Sequence, residues 1–155
     1  MKKILIVDDE PNIVMALEYT FKKNNFEVFI ARDGQEALDI VKSTFPDMII
    51  LDVMMPMVDG YATIEQIRKD KNLKHTKVIF LSAKNKESDI EKGMALGADA
   101  YLTKKKKKKK VVDQVMELLV KLSNLETSGE VLHTNLTIFV RFFYDFTKSI
   151  SCIPI

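Results

Sequence analysis

The chain has 155 residues, 46% hydrophobic and 30% charged, with only 5 Gly and 4 Pro, which suits one compact domain and excludes global disorder and low-complexity fibres. The net charge of +2 is misleading, because leaving Lys105–Lys110 out of the seven-lysine run Lys104–Lys110 gives −4, so we do not expect a nucleic-acid partner. Cys152 is the single cysteine and no apolar run approaches the ~18–20 residues that cross a bilayer, so we expect a cytoplasmic protein with no membrane partner.

Short apolar runs predict five β-strands. In chain order they are Ile4–Val7, Val28–Ala31, Met48–Leu51, Val78–Leu81 and a weaker run at Ala100–Leu102. Each run is continuous and does not alternate with polar residues, which is typical of strands that are buried on both faces of a parallel sheet.

The segments between these strands have the apolar spacing of helices. Their apolar positions are Ile13, Leu17 and Phe21; Ala37, Leu38 and Val41; Ile64 and Ile67; Ile90 and Met94; and Val111, Val112, Val115, Leu118, Leu119, Leu122 and Leu125. Pro11 suits the first turn of a helix, Pro46 ends the second helix, and Asp59–Gly60 marks a loop. The alternation predicts a doubly wound α/β fold: a five-stranded parallel sheet in a three-layer αβα sandwich with five helices.

In such folds the functional site lies at the carboxyl ends of the strands. The residues there are Asp8 and Asp9 after the first strand, Asp52 after the third, Ser82 after the fourth and Lys104 after the fifth. Three converging carboxylates require a cation, and oxygen ligands without Cys or His favour Mg²⁺. A carboxylate nucleophile, a lysine and a hydroxyl together indicate phosphoryl transfer to a carboxylate. The alternative is that these Asp residues only form loops and cap helices.

Four segments resemble the receiver domain of two-component response regulators. They are Ile6–Glu10, Leu51–Gly60, Leu81–Ala83 and Gly97–Lys104, and they follow the order and spacing of that family. The resemblance runs over residues 1–125, which we take as the domain, and leaves 126–155 as a C-terminal tail. It implies a flavodoxin-like fold with strand order 2-1-3-4-5.

The resemblance also implies the role of each acidic residue. Asp52 is the phosphoacceptor, which takes a phosphoryl group from a sensor histidine kinase or a phosphotransfer protein. Asp9, Asp52 and the backbone carbonyl of Met54 ligate Mg²⁺, and Asp8 assists through water. Such a protein catalyses only its own phosphorylation and dephosphorylation, so it is a switch and not an enzyme with an external substrate.

Ser82, Tyr101 and Lys104 are the residues that the resemblance assigns to binding and signalling. Ser82 hydrogen-bonds the phosphoryl group and Lys104 pairs with it. Tyr101 turns inward when Ser82 moves toward the phosphate, and a downstream output protein or domain reads the repacked surface. Whether the protein forms a homodimer stays open.

Two segments depart from the family pattern. Lys105 stands where receivers usually have a proline, and Lys105–Lys110 replaces the following loop without changing its length. Whether this run is natural, engineered or a placeholder is open, as is a basic docking role. The tail at 126–155 is aromatic-rich and too short for a winged-helix output domain; packing on the receiver, self-association and a non-native extension all remain open.

Four other functions are alternatives for this sequence. The first is a receiver fragment of a DNA-binding transcriptional regulator. An aspartate-nucleophile phosphatase needs an acid two residues after Asp52, where Met54 stands. A flavin- or nucleotide-binding protein needs a glycine cradle, whereas Asp8–Pro11 repels phosphate. Binding of nucleic acid or anionic membrane through Lys104–Lys110 is supported only by the composition of that run.

Overall fold

The computed structural model describes residues 1–104 and 111–118, and the chain forms two compact units, Met1–Val112 and Asp113–Ile155. In the second unit the described residues, 113–118, are helical. The lysine run after Lys104, the end of the last predicted apolar stripe and the tail at 126–155 lie outside the described residues. None of the helices in the described ranges has the length and apolar character that crossing a bilayer requires.

Strands and helices alternate along the first unit as the sequence predicts. The elements are β1 (Lys3–Val7), α1 (Pro11–Lys23), β2 (Glu27–Ala31), α2 (Gly34–Thr44), β3 (Met48–Leu51), α3 (Gly60–Lys69), a 3₁₀ turn (Lys71–Leu73), β4 (Lys77–Ser82), α4 (Glu87–Ala95) and β5 (Ala100–Thr103). A further helix, α5, covers residues 111–118 and spans the boundary between the two units.

The five strands form one parallel sheet in the order β2-β1-β3-β4-β5. Ile6 of β1 lies between Ile30 and Ile50 of the neighbouring strands, and Ser82 at the end of β4 pairs with Thr103 of β5. The predicted fold class and strand order are therefore confirmed. The carboxyl ends of β1 and β3 are neighbours at the centre of the sheet, which brings the residues that follow them together.

Helices pack on both faces of this sheet. Because side chains alternate along a strand, Leu5 and Leu51 share one face, where they cluster with Val41 of α2 and Ile64 of α3. The intervening Ile6 faces the opposite way and is equally buried. Helix α1 packs along β1 and β2 through side chains that lie outside the first cluster. Burial on both faces explains why the strands are continuously apolar.

Two aspartates begin helices. The carboxylate of Asp33 accepts the Glu36 amide at 2.9 Å, and that of Asp59 accepts the Ala62 amide at 2.8 Å, which satisfies amides without helical partners. Asp59–Gly60, predicted as a loop, is thus the start of α3. Pro11 occupies the first position of α1, where its missing N–H costs nothing.

The predicted buried face of α4 needs correction. The spacing placed Ile90 and Met94 together, but Met94 is 43% exposed and the buried residue of this helix is Gly93. A Cβ at Gly93 would lie 3.0 Å from the rings of both Phe80 and Tyr101. Helix α4 therefore approaches the sheet through a glycine, a contact that apolar periodicity cannot predict.

Candidate functional site

Asp8 and Asp52 are fixed side by side by the ends of two paired strands. The Asp52 amide donates to the Val7 carbonyl at 2.9 Å, and the Asp8 amide donates to the Ala31 carbonyl at 3.1 Å. These bonds continue the ladders of the sheet by one residue, so both side chains project from its carboxyl edge. Asp8 is only 2% exposed and Asp52 only 3%.

Lys104, which follows β5, places its ammonium among three carboxylates. Nζ lies 2.9 Å from Oδ2 of both Asp8 and Asp52, and 2.7 Å from Oε1 of Glu10. The Lys104 amide also donates to the Ser82 carbonyl at 2.8 Å, which fixes the backbone from which the side chain extends. The structure thus brings together Lys104, Asp8 and Asp52, as the sequence predicts.

Glu10 is a member of this cluster that the sequence reasoning missed. Carboxylate oxygens of Asp8, Glu10 and Asp52 lie within 4.8 Å of one another. With Lys104 the cluster carries a net charge of −2, and its ligands are all oxygens. A divalent hard cation fits both the charge and the donor chemistry. The signal in the sequence was the third consecutive acidic residue after β1.

Asp9 and Met54 lie beside this cluster. Asp9 is exposed and lines an open cavity of about 410 Å³ together with Met54, Asp59 and Lys84. The Met54 amide donates to Oδ1 of Asp52 at 3.2 Å, which holds the following loop against the predicted phosphoacceptor. The metal-ligand roles of Asp9 and of the Met54 carbonyl stay predictions.

Burial governs the protonation of the cluster. Burial raises the pKa of Asp8 to about 6, although the Glu10 amide and Lys104 oppose the rise. Burial likewise raises the pKa of Asp52, and the hydrogen bond from Lys104 is the main opposing effect. Burial alone would lower the pKa of Lys104, but hydrogen bonds to the carboxylates outweigh it and raise that pKa. Lys104 therefore stays charged and acts as an internal counter-ion.

Ser82 and Tyr101 both hold the loop at Lys84, which connects β4 to α4. Ser82, the last residue of β4, is fully buried, and its Oγ accepts the Lys84 amide at 3.3 Å. The half-buried Tyr101 donates its hydroxyl to the Lys84 carbonyl at 2.9 Å. Burial raises the pKa of Asp52, and Ser82 is among the groups that oppose the rise. The predicted switch pair is thus connected through Lys84.

An aromatic cluster that was not predicted lies behind the switch pair. The Phe80 ring is 5.6 Å from the rings of both Tyr61 and Tyr101, measured between centroids. Tyr61 donates its hydroxyl to the Asp89 carbonyl at 3.0 Å, and the Lys92 ammonium lies 4.5 Å from the Tyr61 ring. Tyr61 thus joins α3 to α4. An aromatic residue directly after Gly60 was its only signal in the sequence.

Residues 4–116 match the family model of the response regulator receiver domain. The chain belongs to this family. Receiver domains are signalling switches of two-component systems and bind Mg²⁺ at an acidic pocket, and this chain carries an acidic cluster at the carboxyl edge of its sheet.

Named relatives agree with this assignment. The chain is 38% identical over 130 residues to the alkaline phosphatase synthesis transcriptional regulatory protein PhoP of Bacillus subtilis, covering 84% of this chain and 53% of that protein. The chain thus spans about half the length of this curated relative. The Mn²⁺-bound response regulator Rcp1 superposes with a TM-score of 0.71 at 27% identity, covering 76% of this chain and 91% of Rcp1. The chemotaxis response regulator CheY4 of Vibrio cholerae superposes with a TM-score of 0.68 at 29% identity, covering 76% of this chain and 98% of CheY4.

Proposed function

We propose that this receiver domain is a phosphorylation-activated switch in which Asp52 accepts a phosphoryl group from a sensor histidine kinase or a phosphotransfer protein. The observation that carries the proposal is the buried triangle of Asp8, Asp52 and Lys104, in which Nζ lies 2.9 Å from each carboxylate. A carboxylate nucleophile next to a fixed cation suits phosphoryl transfer, because positioning and charge stabilisation supply most of its catalysis.

The chain's own groups orient Asp52 for attack. Oδ1 accepts the Met54 amide and Oδ2 accepts Lys104, so rotation of the carboxylate is restricted from both sides. One carboxylate oxygen forms a bond to phosphorus while the bond from phosphorus to the donor breaks, and the donor leaves with that electron pair. Lys104 and the Ser82 hydroxyl then pair with oxygens of the new aspartyl phosphate.

Asp9, Asp52 and the Met54 carbonyl would hold Mg²⁺, with Asp8 assisting through water. When bound, Mg²⁺ neutralises the charge of the carboxylates and of the incoming phosphoryl group. The residues fit this requirement because the cluster retains two uncompensated negative charges after pairing with Lys104. The Glu10 amide donates to Oδ1 of Asp8 at 2.9 Å, which fixes the Asp8 carboxylate at the edge of the sheet.

Lys84 carries the signal from Ser82 to Tyr101. A phosphoryl group on Asp52 attracts the Ser82 hydroxyl. As the side chain moves toward it, the Ser82 Oγ no longer accepts the hydrogen bond from the Lys84 amide. The loop then shifts, and Tyr101 loses the Lys84 carbonyl that holds its hydroxyl. The ring turns inward and repacks the surface of α4 and β5, which a downstream output protein or domain reads in the cytoplasm.

A second candidate is the receiver part of a longer DNA-binding regulator. It is favoured by the similarity to PhoP of B. subtilis, a transcriptional regulatory protein of which this chain covers 53%. A gel-shift assay with the longer gene product, with and without a phosphodonor, distinguishes the two candidates. Phosphorylation-dependent DNA binding supports the regulator, and its absence supports a stand-alone switch.

The proposal is tested by incubating the protein with acetyl phosphate and Mg²⁺, followed by intact mass and mapping of the modified residue. We expect the mass of one phosphoryl group on Asp52, and its loss when Mg²⁺ is chelated. Asp52→Asn should abolish the modification, whereas Asp39→Asn, an exposed carboxylate on α2, should leave it unchanged. No modification, or modification of another residue, contradicts the proposal.

A further inference from the structure

The ammonium of Lys104 contacts three carboxylates, with hydrogen bonds to Glu10 and Asp52 and an ion pair with Asp8. A lysine ammonium carries three N–H groups, and Nζ lies within 2.7 to 2.9 Å of three carboxylate oxygens, on Glu10, Asp8 and Asp52. Its side chain is only 7% exposed. A phosphoryl group on Asp52 brings further oxygens to the same ammonium, so it competes for Lys104 with the two carboxylates that remain, those of Asp8 and Glu10.

The three partners differ in what leaving would cost. The Asp8 side chain is only 3% exposed, so separating it from Lys104 would leave a buried, uncompensated charge, whereas the Asp52 carboxylate is itself consumed by phosphorylation. The Glu10 side chain is 54% exposed, so its carboxylate can exchange Lys104 for water. Glu10 is the partner that leaves most easily.

The backbone of Glu10 is held in place, while Lys104 is the partner of its exposed side chain. Its carbonyl accepts the amides of Ile13 and Val14 in the first turn of α1, and its amide donates to Oδ1 of Asp8. Pro11, the next residue, fixes the direction in which the helix starts. Release of Lys104 therefore needs only rotation of the Glu10 side chain.

We propose that Glu10 is a positioning residue that holds Lys104 in the unphosphorylated state and is displaced by the phosphoryl group on Asp52. This inference rests on the proposed function and deepens it, because Glu10 competes with the phosphoryl group for one ammonium. The competition favours the unphosphorylated state and sets how readily Asp52 stays modified. Glu10 acts through Lys104 and does not itself contact the phosphoryl group.

The test compares Glu10→Gln with Glu65→Gln in the full chain. Glu65 is a matched control, since its side chain is also 54% exposed and pairs with a lysine, Lys69. In metal-free, unphosphorylated protein at fixed pH, we expect Glu10→Gln to shift the ¹⁵Nζ resonance of Lys104 and Glu65→Gln to leave it unchanged. At fixed acetyl phosphate and Mg²⁺, Glu10→Gln should raise the ratio of phosphorylated to free protein by about two- to fivefold.

Calorimetric titration with Mg²⁺ alone separates this role from metal ligation. A fall in both Mg²⁺ affinity and phosphorylation in Glu10→Gln would make Glu10 a metal ligand and overturn the inference. An unchanged Lys104 resonance, or an unchanged phosphorylated ratio, would overturn it as well. If wild type itself is not modified at Asp52, the proposed function fails first, and the inference fails with it.

Discussion

Ionisation of Asp8 opposes folding. Its carboxylate faces Lys104 and Asp52 and accepts the Glu10 amide, and burial raises its pKa from 3.8 to about 6. Because the folded state holds the proton more tightly than the unfolded chain, this group contributes stability that is full below about pH 4 and is lost as pH rises through 6. The pKa of Asp52 is raised too, so it acts in the same direction.

We expect Asp8→Asn to stabilise the metal-free protein at pH 7.5 by about 1–3 kcal/mol, because it removes a buried charge. The gain should shrink toward pH 4, where Asp8 is protonated. Denaturant unfolding in the presence of a chelator, at both pH values, measures the effect. Added Mg²⁺ should stabilise wild type more than the variant. Asp39→Asn should show neither change, and an equal gain at both pH values would contradict the assignment to Asp8.

The order of residues at strand ends made most of the site predictable. Asp8, Asp52 and Lys104 each follow a strand directly, so the sheet alone brings them to one edge. Glu10 could not be found in this way, because its contact with Lys104, 94 residues away, depends on the rotamer of an exposed side chain. Tyr61 was missed for a related reason, since its partners lie on a helix whose packing the sequence did not reveal.

Within the described residues, helix α4 packs on the fold through Gly93 and through contacts with Tyr61. Gly93 is its single buried residue within the described ranges. The Tyr61 hydroxyl binds the Asp89 carbonyl in its first turn, and Lys92 lies over the Tyr61 ring. Burial raises the pKa of Tyr61, so its hydroxyl remains a donor at neutral pH. Tyr61 is therefore a specific brace between α3 and α4.

Tyr61→Phe removes only the hydroxyl and keeps the ring against Phe80. The lost hydrogen bond is worth about 1 kcal/mol, so we expect amides of Glu87–Ala95 to exchange with deuterium about fivefold faster. Amides of α1 should keep their rates. Tyr19→Phe, at a residue that is 68% exposed, is the matched control. Equal acceleration in both helices would indicate global destabilisation and would contradict a local brace.

Strands were easier to predict than the face of α4. A strand buried on both sides leaves an uninterrupted apolar run, and β1, β3 and β4 appear in the sequence within one residue of their bounds at either end. The packing of α4 depends on the absence of a side chain at Gly93. Hydrophobic spacing instead identifies Ile90 and Met94, because it counts only apolar side chains and cannot detect a close approach through a glycine.

The order of the sheet explains why the distant member of the site is a lysine. Asp52 follows β3 and Lys104 follows β5, with β4 between them. Adjacent strands lie about 4.8 Å apart, so the two backbones are separated by roughly twice that distance. The long aliphatic stem of lysine spans much of this gap while its charged end reaches the carboxylates. The topology thus determines the side-chain length at this position.

At the scale of the whole molecule, the question is where the domain ends. The sequence predicts a domain of residues 1–125. The family match covers residues 4–116, and the first compact unit ends at Val112, inside helix α5. The sheet and all predicted site residues lie within residues 1–104. A boundary at 112 would leave only two residues of the helix 111–118, too few to form a helical turn.

We therefore expect a chain shortened to residues 1–125 to unfold in one cooperative transition, with Mg²⁺ raising its midpoint as in the full chain. A chain shortened to residues 1–112 should unfold at lower denaturant, because the helix that begins at Val111 would keep only two of its residues. Urea titrations of the three lengths, each with and without Mg²⁺, give the comparison. If residues 1–112 matched the full chain, the domain would end before α5; if residues 1–125 failed to fold, the tail at 126–155 would belong to it.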